Sequence, residues 1–298
     1  MAKNVNEEYP SKKPTTQQMA DVQKISDEEM KMRAMDAYAG QTAKTHDFPT
    51  EIVELPSRGF LYADGSALQS GKVEMKYMTA KEEDILTTQS YIKQGIVLDK
   101  LFQSLIISNG EGQKVKYNEL LLGDKNAIMI AARVLGYGKD YECQVNTPSG
   151  GKQKETIDLA ELREKEVDFS LFSKGSNRFS FTLPAAKRVV EFKFLCHGDE
   201  PNIEAEIKAA KKMNRGVDPT LSTRLMYSII SIDGEEDRMK IRKFVQNELL
   251  AMDSRALRTH MRDLQPDVDL NLVFDDNATG EEFYMDLPID TTFFWPGA

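Results

Sequence analysis

The hydrophobic pattern changes its period along the chain, and this change restricts the fold more than any other feature. Residues 141–146 and 154–159 alternate with a period of two around the glycine-rich turn 147–151, and residues 268–274 and 281–287 repeat the pattern. Four stretches with helical periodicity lie between them, at 203–213, 222–231, 235–252 and 254–264. Strands paired by tight turns on both sides of a helical block predict an α+β fold of small antiparallel sheets and long hairpins.

Residues 51–140 predict an N-terminal mixed module that contains a small sheet. Residues 51–55 alternate weakly and run into the turn 56–59, which has the sequence Pro-Ser-Arg-Gly. Val73, Met75 and Tyr77 alternate as the side chains of a second strand do.

Three helices are expected in the same module. Thr79 and Glu82 have the spacing of a capping box, which predicts a helix that reaches about Ser90. A second helix is expected at 97–107. The third is expected at 125–135, with Asp124 as its cap and Gly136 at its end.

Residues 141–298 predict a C-terminal α+β module with two knuckle-like hairpins, 141–159 and 267–287. Between the hairpins, residues 179–183 and 189–195 predict a further strand pair, and Asp253 is the expected cap of the helix 254–264. Both hairpin loops end in glycine, Gly151 and Gly280, which suggests a duplication but is weak evidence by itself.

Residues 1–50 predict a mobile, disordered N-terminal arm because they are polar and contain few bulky apolar side chains. Ser26 and Glu29 have capping-box spacing, so residues 26–38 are expected to form a transient helix that persists only against a partner. The arm is therefore a candidate binding element.

The negative charge is concentrated at one end of the chain. The net charge is −9, and residues 263–298 contain nine acidic residues and no Lys or Arg. This segment is either a solvated face or a surface that docks on a basic partner, within residues 202–262 or on another protein. A strong local excess of basic residues is missing, which argues against a nucleic-acid-binding protein.

Composition narrows the class further. No apolar run approaches the roughly 20 residues of a membrane span, and residues 1–10 do not have the pattern of a signal peptide. Cys143 and Cys196 are too few for a disulfide scaffold or a cysteine-rich zinc site. These features predict a soluble protein made in the cytoplasm.

No motif for catalysis, cofactor binding or metal binding is found. Gly136-Tyr137-Gly138 lacks the third glycine of a dinucleotide fingerprint, and His46, His197 and His260 lie far apart in the sequence. The acidic clusters at 82–84 and 235–237 fall at predicted helix starts, where acids complement the helix dipole.

The alternative of an enzyme rests on Cys196 and His197, which precede Asp199 and Glu200. Adjacent residues of an extended strand point to opposite faces, so Cys196 and His197 form a poor catalytic pair. A strand-to-helix turn is the favoured interpretation of this cluster, and the chain is not expected to be an enzyme.

Two groups of residues are candidates for binding a partner. Arg255, Arg258 and Arg262 recur at helical spacing and form a basic stripe, which is either a solvated face or a docking surface. The terminal aromatic residues are Phe293, Phe294 and Trp295. These aromatic side chains either anchor a partner or close the core of their own domain.

Several sequence blocks, in a fixed order, resemble the baseplate hub protein family of T4-like contractile-tailed bacteriophages, of the gene 26 product type. The blocks are ELPSRGFLY (54–62), MTAKEEDIL (78–86), LLGDKNAI (121–128), FTLP (181–184), HGDE (197–200), SIDG (231–234), AMDSRALR (251–258) and FFWP (293–296). The series covers more than four fifths of the chain.

The resemblance implies a role in forming the hub of the tail, without catalytic activity and without a cofactor. The implied partners are other baseplate hub or wedge proteins, and the implied location is the host cytoplasm during assembly. A protein retained as a permanent structural component would instead be found in the virion tail baseplate. Neither the oligomeric state nor the choice between assembly factor and retained component follows from the sequence.

The chain departs from the resembled family at the two hairpin turns. Many family members carry Cys-x-x-Cys knuckles there, a thiolate set that suits zinc. This chain has Thr147 and Gly150 in the first turn and Asp276 and Thr279 in the second. We therefore expect packing to replace a metal, and purified protein to hold no stoichiometric zinc.

Overall fold

The computed structural model of the chain describes residues 48–213, 216–289 and 293–295. The strands described there are β1 (Thr50–Glu54), β2 (Lys72–Lys76), β3 (Ile106–Ser108), β4 (Asp140–Asn146), β5 (Lys152–Asp158), β6 (Phe179–Thr182), β7 (Val189–Phe192), β8 (Ile229–Ile232), β9 (Asn271–Asp275) and β10 (Glu282–Asp286). The helices are α1 (Ala80–Thr87), α2 (Gln89–Gln94), α3 (Val97–Leu105), α4 (Leu122–Tyr137), α5 (Glu200–Met213), α6 (Thr220–Ser228), α7 (Arg238–Asn247) and α8 (Ala251–Leu264).

These elements confirm the α+β class. The strands form two three-stranded antiparallel sheets, with orders β1-β2-β3 and β6-β7-β8, and two separate hairpins, β4-β5 and β9-β10. The predicted arm, 1–50, and its helix, 26–38, lie outside the described residues, except that Thr50 begins β1.

The order of elements in residues 50–158 is repeated in residues 179–286, and we call these ranges the first and second repeat. Each repeat begins with a strand pair and continues through a helix that runs directly into a third strand. After the third strand the first repeat has one helix, α4, and the second has two, α7 and α8, and each closes with a hairpin. The likeness of the two hairpins therefore extends to the order of strands and sheets over most of the described chain.

The two three-stranded sheets share the same irregularity and the same hydrogen bond between a serine and a glutamate. In each, the middle strand shifts register directly after a glutamate, at Glu74 in β2 and at Glu191 in β7. Ser108 Oγ donates to Glu74 Oε2 at 2.5 Å, and the hydroxyl of Ser231 donates to the carboxylate of Glu191. The Glu74 carboxylate is buried and needs such a donor, because an unpaired buried carboxylate costs several kcal/mol, while Glu191 is half-buried.

The third strands correct two sequence predictions. Helices were expected over 97–107 and 222–231, but α3 ends at Leu105 and α6 ends at Ser228. The following isoleucines, Ile106 and Ile229, are β-branched and pair with the exposed edges of β2 and β7. Tertiary pairing thus ends both helices early.

The first repeat contains the predicted capping box. Thr79 N and Thr79 Oγ1 both donate to Glu82 Oε2, at 3.1 and 2.6 Å, and Lys76 Nζ donates to Glu82 Oε1 at 2.6 Å. Burial alone would raise the pKa of Glu82, but the hydrogen bonds from Lys76, Thr79 and Ser104 outweigh it and lower the pKa to about 2.

The second repeat carries a matching arrangement. Cys196 N donates to Asp199 Oδ2 at 3.0 Å, and Lys193 Nζ donates to the same carboxylate at 2.8 Å. The Lys, cap and acid spacing is the same as in Lys76, Thr79 and Glu82. The HGDE block therefore begins a helical segment, as the favoured interpretation of it predicted.

Two aspartates were expected to be helix caps, and both expectations are wrong. Helices α4 and α8 begin after leucine caps, Leu121 and Leu250, and Asp124 and Asp253 occupy the third helical position of each. Both carboxylates are fully buried. They accept hydrogen bonds from donors in distant loops. These donors are buried or half-buried, and leaving them unpaired would cost more than leaving unpaired the free N–H groups of the helices that carry the aspartates.

Each of these aspartates holds the loop that follows the first strand of its repeat. Asp124 Oδ1 accepts from Ser57 N at 2.9 Å, while Asp253 accepts from Ala185 N at 2.7 Å and Ala186 N at 3.0 Å. The residue that follows each anchored segment is not glycine but has a positive φ: Arg58 (50°) and Lys187 (56°). The buried anchor stabilises a conformation that such residues seldom adopt.

Three further helix boundaries differ from the prediction. The helix expected from Thr79 to about Ser90 divides at Thr88 into α1 and α2, and the helix expected over 235–252 is only Arg238–Asn247. Gly136 was expected to end α4 but lies inside it. A Cβ at this position would approach Met78 Cε to 2.8 Å, so the flexible Met78 side chain would have to shift to admit it.

One continuous hydrophobic core runs through residues 49–298, which form one compact unit. It joins residues of the predicted module 51–140, such as Leu101 and Ile128, to residues of 141–298, such as Tyr141 and Phe192. In the described ranges, no helix combines the length and apolar character needed to cross a bilayer.

Candidate partner-binding surface

The terminal aromatic residues lie in the protein's own core. Phe293 and Phe294 are 0% and 2% exposed, and Trp295 is half-buried against the same core. The rings of Phe293 and Tyr141 meet edge-on with their centroids 5.0 Å apart, and the Phe294 ring lies 6.0 Å from Phe102. The two phenylalanines therefore join α3 to β4 in the first repeat.

The chain that leads to these rings is attached to both repeats. Leu287 N donates to Leu270 O, and Tyr141 OH donates to Pro288 O, each at 2.7 Å. Asn271 Nδ2 also donates to Asp286 Oδ1 at 3.0 Å. These contacts direct the chain from β10 towards the first repeat.

The three arginines lie on the exposed face of α8. Arg262 contacts its neighbour Asp263 at 3.5 Å, and the Arg262 carbonyl accepts a hydrogen bond from Lys165. Within the described part of the chain, the side chains of Arg255 and Arg258 make no hydrogen bond and no ion pair. Their charges are therefore available to a partner.

Three carboxylates of the acidic C-terminal segment accept hydrogen bonds from residues outside the basic stripe. Asp267 Oδ1 accepts from Asn126 Nδ2 at 2.9 Å, and Asp269 Oδ1 accepts from Asn271 N at 3.0 Å. Asp276 accepts from Ser149 N at 3.1 Å. None of these three reaches Arg255 or Arg258, so the described contacts give no support to intramolecular docking on the basic stripe.

A cleft of about 610 Å³ opens beside the stripe, between α6, α8 and the start of the last hairpin. Its lining combines apolar and charged residues. The apolar lining is formed by Leu122, Phe194, Leu195, Leu221, Leu225, Met261, Val268 and Leu270. The charged residues are Lys165, Arg224, Arg258, Arg262, Asp267, Asp269 and Asp286.

Most of the charged side chains that line the cleft have partners within the protein. Arg224 makes two hydrogen bonds to the carboxylate of Glu200, at 2.7 and 3.2 Å. Lys165 donates to backbone carbonyls at the end of α8, and burial lowers its pKa. Arg258 is the basic residue in this lining for which the described chain provides no partner.

Cys196 and His197 bond in different directions. Cys196 Sγ lies 3.4 Å from Asp199 Oδ2, and burial, together with the nearby Asp199 carboxylate, raises the pKa of the thiol. His197 Nδ1 is 3.2 Å from Lys125 Nζ, and its ring packs 4.5 Å from that of Tyr117. A thiol with a raised pKa is a weak nucleophile at neutral pH.

The ring of His197 belongs to a polar network that joins the two repeats. Asp99 Oδ1 accepts from Lys125 Nζ at 2.7 Å and from Tyr117 OH at 2.9 Å, and Asp99 Oδ2 lies 3.7 Å from His197 Nε2. Burial lowers the pKa of His197, and the neighbouring Lys125 lowers it further. Packing and hydrogen bonding in this network therefore explain why a histidine lies at position 197.

The turns of the two knuckle-like hairpins lie against each other. Asp276 Oδ2 accepts from Ser149 N at 3.1 Å, and Asp276 Oδ1 accepts from Ala278 N at 2.9 Å. Gln153 Nε2 donates to Asp275 O at 2.6 Å. The described residues contain no group of three or more His, Cys, Asp or Glu side chains placed to hold a metal ion.

No protein-family model, curated protein or solved structure matches this chain.

The sequence did not predict Asp124 and Asp253 as interior anchors. One signal was present in the sequence, since each follows a leucine by three positions and the two lie 129 positions apart, as Gly151 and Gly280 do. Their burial could be recognised only in the folded chain.

Proposed function

We propose that this protein takes part in assembling the baseplate hub of a contractile phage tail, and that it acts by protein–protein contact without catalysis. The ordered blocks from residue 54 to residue 296 support the family. The observation that carries the binding role is Arg258, an exposed and unpaired guanidinium beside an apolar cleft. Arginine is favoured at interfaces because it combines planar hydrogen bonding with a charge that is readily desolvated.

The proposed partners are other baseplate hub or wedge proteins that present an acidic surface to Arg255 and Arg258. Complementary charge speeds association and selects partners, more than it adds affinity. The proposed site of action is the host cytoplasm, where tails are assembled. Nucleic acid is not a proposed partner, because the net charge is −9.

A charge-reversal experiment tests this role. Affinity-tagged protein is recovered from cells infected with the phage that encodes it, in the wild-type form and as Arg255→Glu with Arg258→Glu. The control carries Lys81→Glu and Lys212→Glu, which make the same charge change at exposed positions outside the cleft. We expect tail proteins to accompany the wild type and the control and to be lost from the arginine variant.

The proposal fails if the wild type brings down no tail protein, or if the arginine variant retains all of them at normal phage yield. The same recovery after deletion of residues 1–50 measures what the arm contributes. Mass spectrometry of purified virions separates a transient assembly factor, which is missing from the particles, from a retained baseplate component.

The enzyme alternative has its own test. We expect Cys196→Ala to leave phage yield unchanged, since the thiol is a weak nucleophile and the hydrogen bond from Cys196 N to Asp199 does not need the side chain. A large loss of yield, with protein level and melting temperature unchanged, would favour catalysis at Cys196 and His197.

A further inference from the structure

The cleft beside Arg258 lies where the first repeat holds the two phenylalanines of the C-terminus. In the first repeat, Phe102 of α3 and Tyr141 of β4 are the aromatic contacts of Phe294 and Phe293. The counterparts of these two contact residues mark the corresponding space in the second repeat.

The counterpart of Phe102 is Leu225. Helix α3 runs into β3 at Ile106, and helix α6 runs into β8 at Ile229. Phe102 and Leu225 each lie four residues before the isoleucine that begins the third strand. Leu225 lines the cleft.

The counterpart of Tyr141 is Leu270. Tyr141 lies five residues before the end of β4 at Asn146, and Leu270 lies five residues before the end of β9 at Asp275. Leu270 also lines the cleft. Both contacts of the phenylalanine pair thus have counterparts in the wall of an open space.

The differences between the repeats indicate the chemistry of a ligand. Leucines replace the aromatic rings of Phe102 and Tyr141, which leaves a wide apolar space. On the helix that follows, Met129 is five residues after Asp124, and Arg258 is five residues after Asp253. The second repeat therefore places an unpaired cation beside the apolar space, where the first has a thioether.

We propose that the cleft binds an acidic segment of a partner protein that carries two adjacent aromatic side chains, in the way that the first repeat holds Phe293 and Phe294. Aromatic side chains contribute much apolar contact at little cost in side-chain entropy, and a carboxylate pairs with Arg258. A second copy of this chain is not the proposed occupant, because Phe293 and Phe294 are buried in their own molecule. Only the identity of the partner, as another tail protein, rests on the proposed function.

The test uses a synthetic peptide that contains the two phenylalanines held by the first repeat. A fluorescein-labelled peptide with the sequence of residues 286–298 (DLPIDTTFFWPGA) is titrated with the full-length protein, and fluorescence anisotropy is measured. We expect saturable binding at one site. A peptide in which both phenylalanines are alanine should not bind, and replacing both aspartates by asparagine should weaken binding.

Two cleft variants locate the binding site. Leu221 is 46% exposed at the mouth of the cleft, so Leu221→Asp can be made without disturbing the core. Leu221→Asp and Arg258→Glu are each expected to weaken peptide binding about tenfold or more, since each adds repulsion to an acidic ligand. Leu171→Asp and Lys212→Glu make the same changes at exposed positions elsewhere and should have no effect.

Several results would overturn the inference. The first is a titration in which the peptide shows no saturable binding. The second is peptide binding that both cleft variants leave unchanged. The third is peptide binding that Phe102→Ala abolishes while the cleft variants do not. Concentration-dependent dimers in sedimentation velocity that Leu221→Asp removes would assign the cleft to a second copy instead. Peptide binding without recovery of tail proteins from infected cells would support the cleft and refute the proposed function, and the reverse result would do the opposite.

Discussion

The buried Asp124 carboxylate illustrates how one side chain sets a long-range contact. Its two oxygens accept hydrogen bonds from Ser57 N, Ser57 Oγ at 2.6 Å and Tyr62 OH at 2.5 Å. Complete burial raises its pKa to about 6, although the bonds from Ser57 and Tyr62 oppose the shift. The burial of Tyr62 itself, together with the Asp124 charge, raises the pKa of Tyr62 well above its usual value.

This shift predicts how the stability of the protein depends on pH. A carboxyl whose pKa is higher in the folded than in the unfolded protein stabilises the fold below the unfolded value of about 3.9. That stability is lost as the pH rises towards 6, by about 3 kcal/mol for a shift of two pH units. We expect the free energy of unfolding of Asp124→Asn, from urea titrations, to lack this loss.

The control for this titration is Asp84→Asn, at an exposed position of α1, which should follow the pH profile of the wild type. If wild type and Asp124→Asn show parallel profiles between pH 4 and pH 7, the carboxyl does not titrate in this range and our assignment of its pKa is wrong.

At the scale of elements, glycine marks where one element approaches another. Gly123 lies in the first turn of α4, and a Cβ there would come within 2.0 Å of Pro266 O. The backbone of residues 266–267 must therefore move if any side chain is added. The equivalent residue of α8, Met252, is exposed and faces no such contact.

We expect Gly123→Ala to lower the free energy of unfolding by about 3 kcal/mol or more, because the backbone cannot yield as a flexible side chain would. Urea denaturation measures the effect. Gly216→Ala is the matched control, since a Cβ at Gly216 would meet nothing within 4 Å. Equal stabilities of the two variants would show that the 266–267 segment does not press on α4.

The paired hairpins lead to a prediction about metal content. Asp276 bonds to Ser149 N across the two turns, in the place where the resembled family has thiolates. We expect elemental analysis of the purified protein to find no stoichiometric zinc, and we expect Asp276→Ala to speed amide hydrogen exchange at Ser149 and Ala278. One zinc atom per chain, or unchanged exchange, would contradict this account of the turns.

At the scale of the whole molecule, the predicted modules 51–140 and 141–298 depend on each other. The Phe294 ring of the C-terminus packs on Phe102 of the first repeat, and Asn126 of α4 donates to Asp267 after α8. Leu121, before α4, forms a β-bridge with Cys196 of the second repeat. Each half would expose apolar core if it were separated from the other.

We therefore expect the fragments 49–140 and 141–298, produced separately, to lack a cooperative unfolding transition, and a mixture of both to recover one. Circular dichroism during thermal unfolding measures this, with the uncut chain 49–298 as the control. A cooperative transition in either isolated fragment would show that a hydrophobic core forms within that predicted module alone.

The sequence alone determined the local features of this protein. The α+β class, the two hairpins and the Thr79–Glu82 capping box could all be predicted, because period-two alternation, turn residues and cap spacing act over a few neighbouring residues. The ends of α3 and α6 could not be predicted, since Ile106 and Ile229 become strands only when β2 and β7 present an edge to them.

The tertiary structure alone decided which polar groups lie inside and which charges stay free. Asp124 and Asp253 look like helix caps in the sequence, yet the loops that fold over them make them buried anchors. The C-terminal phenylalanines likewise pack against the first repeat, while the cleft beside Arg258 stays open. Burial and free charge depend on contacts between residues far apart in the chain, and local patterns do not contain them.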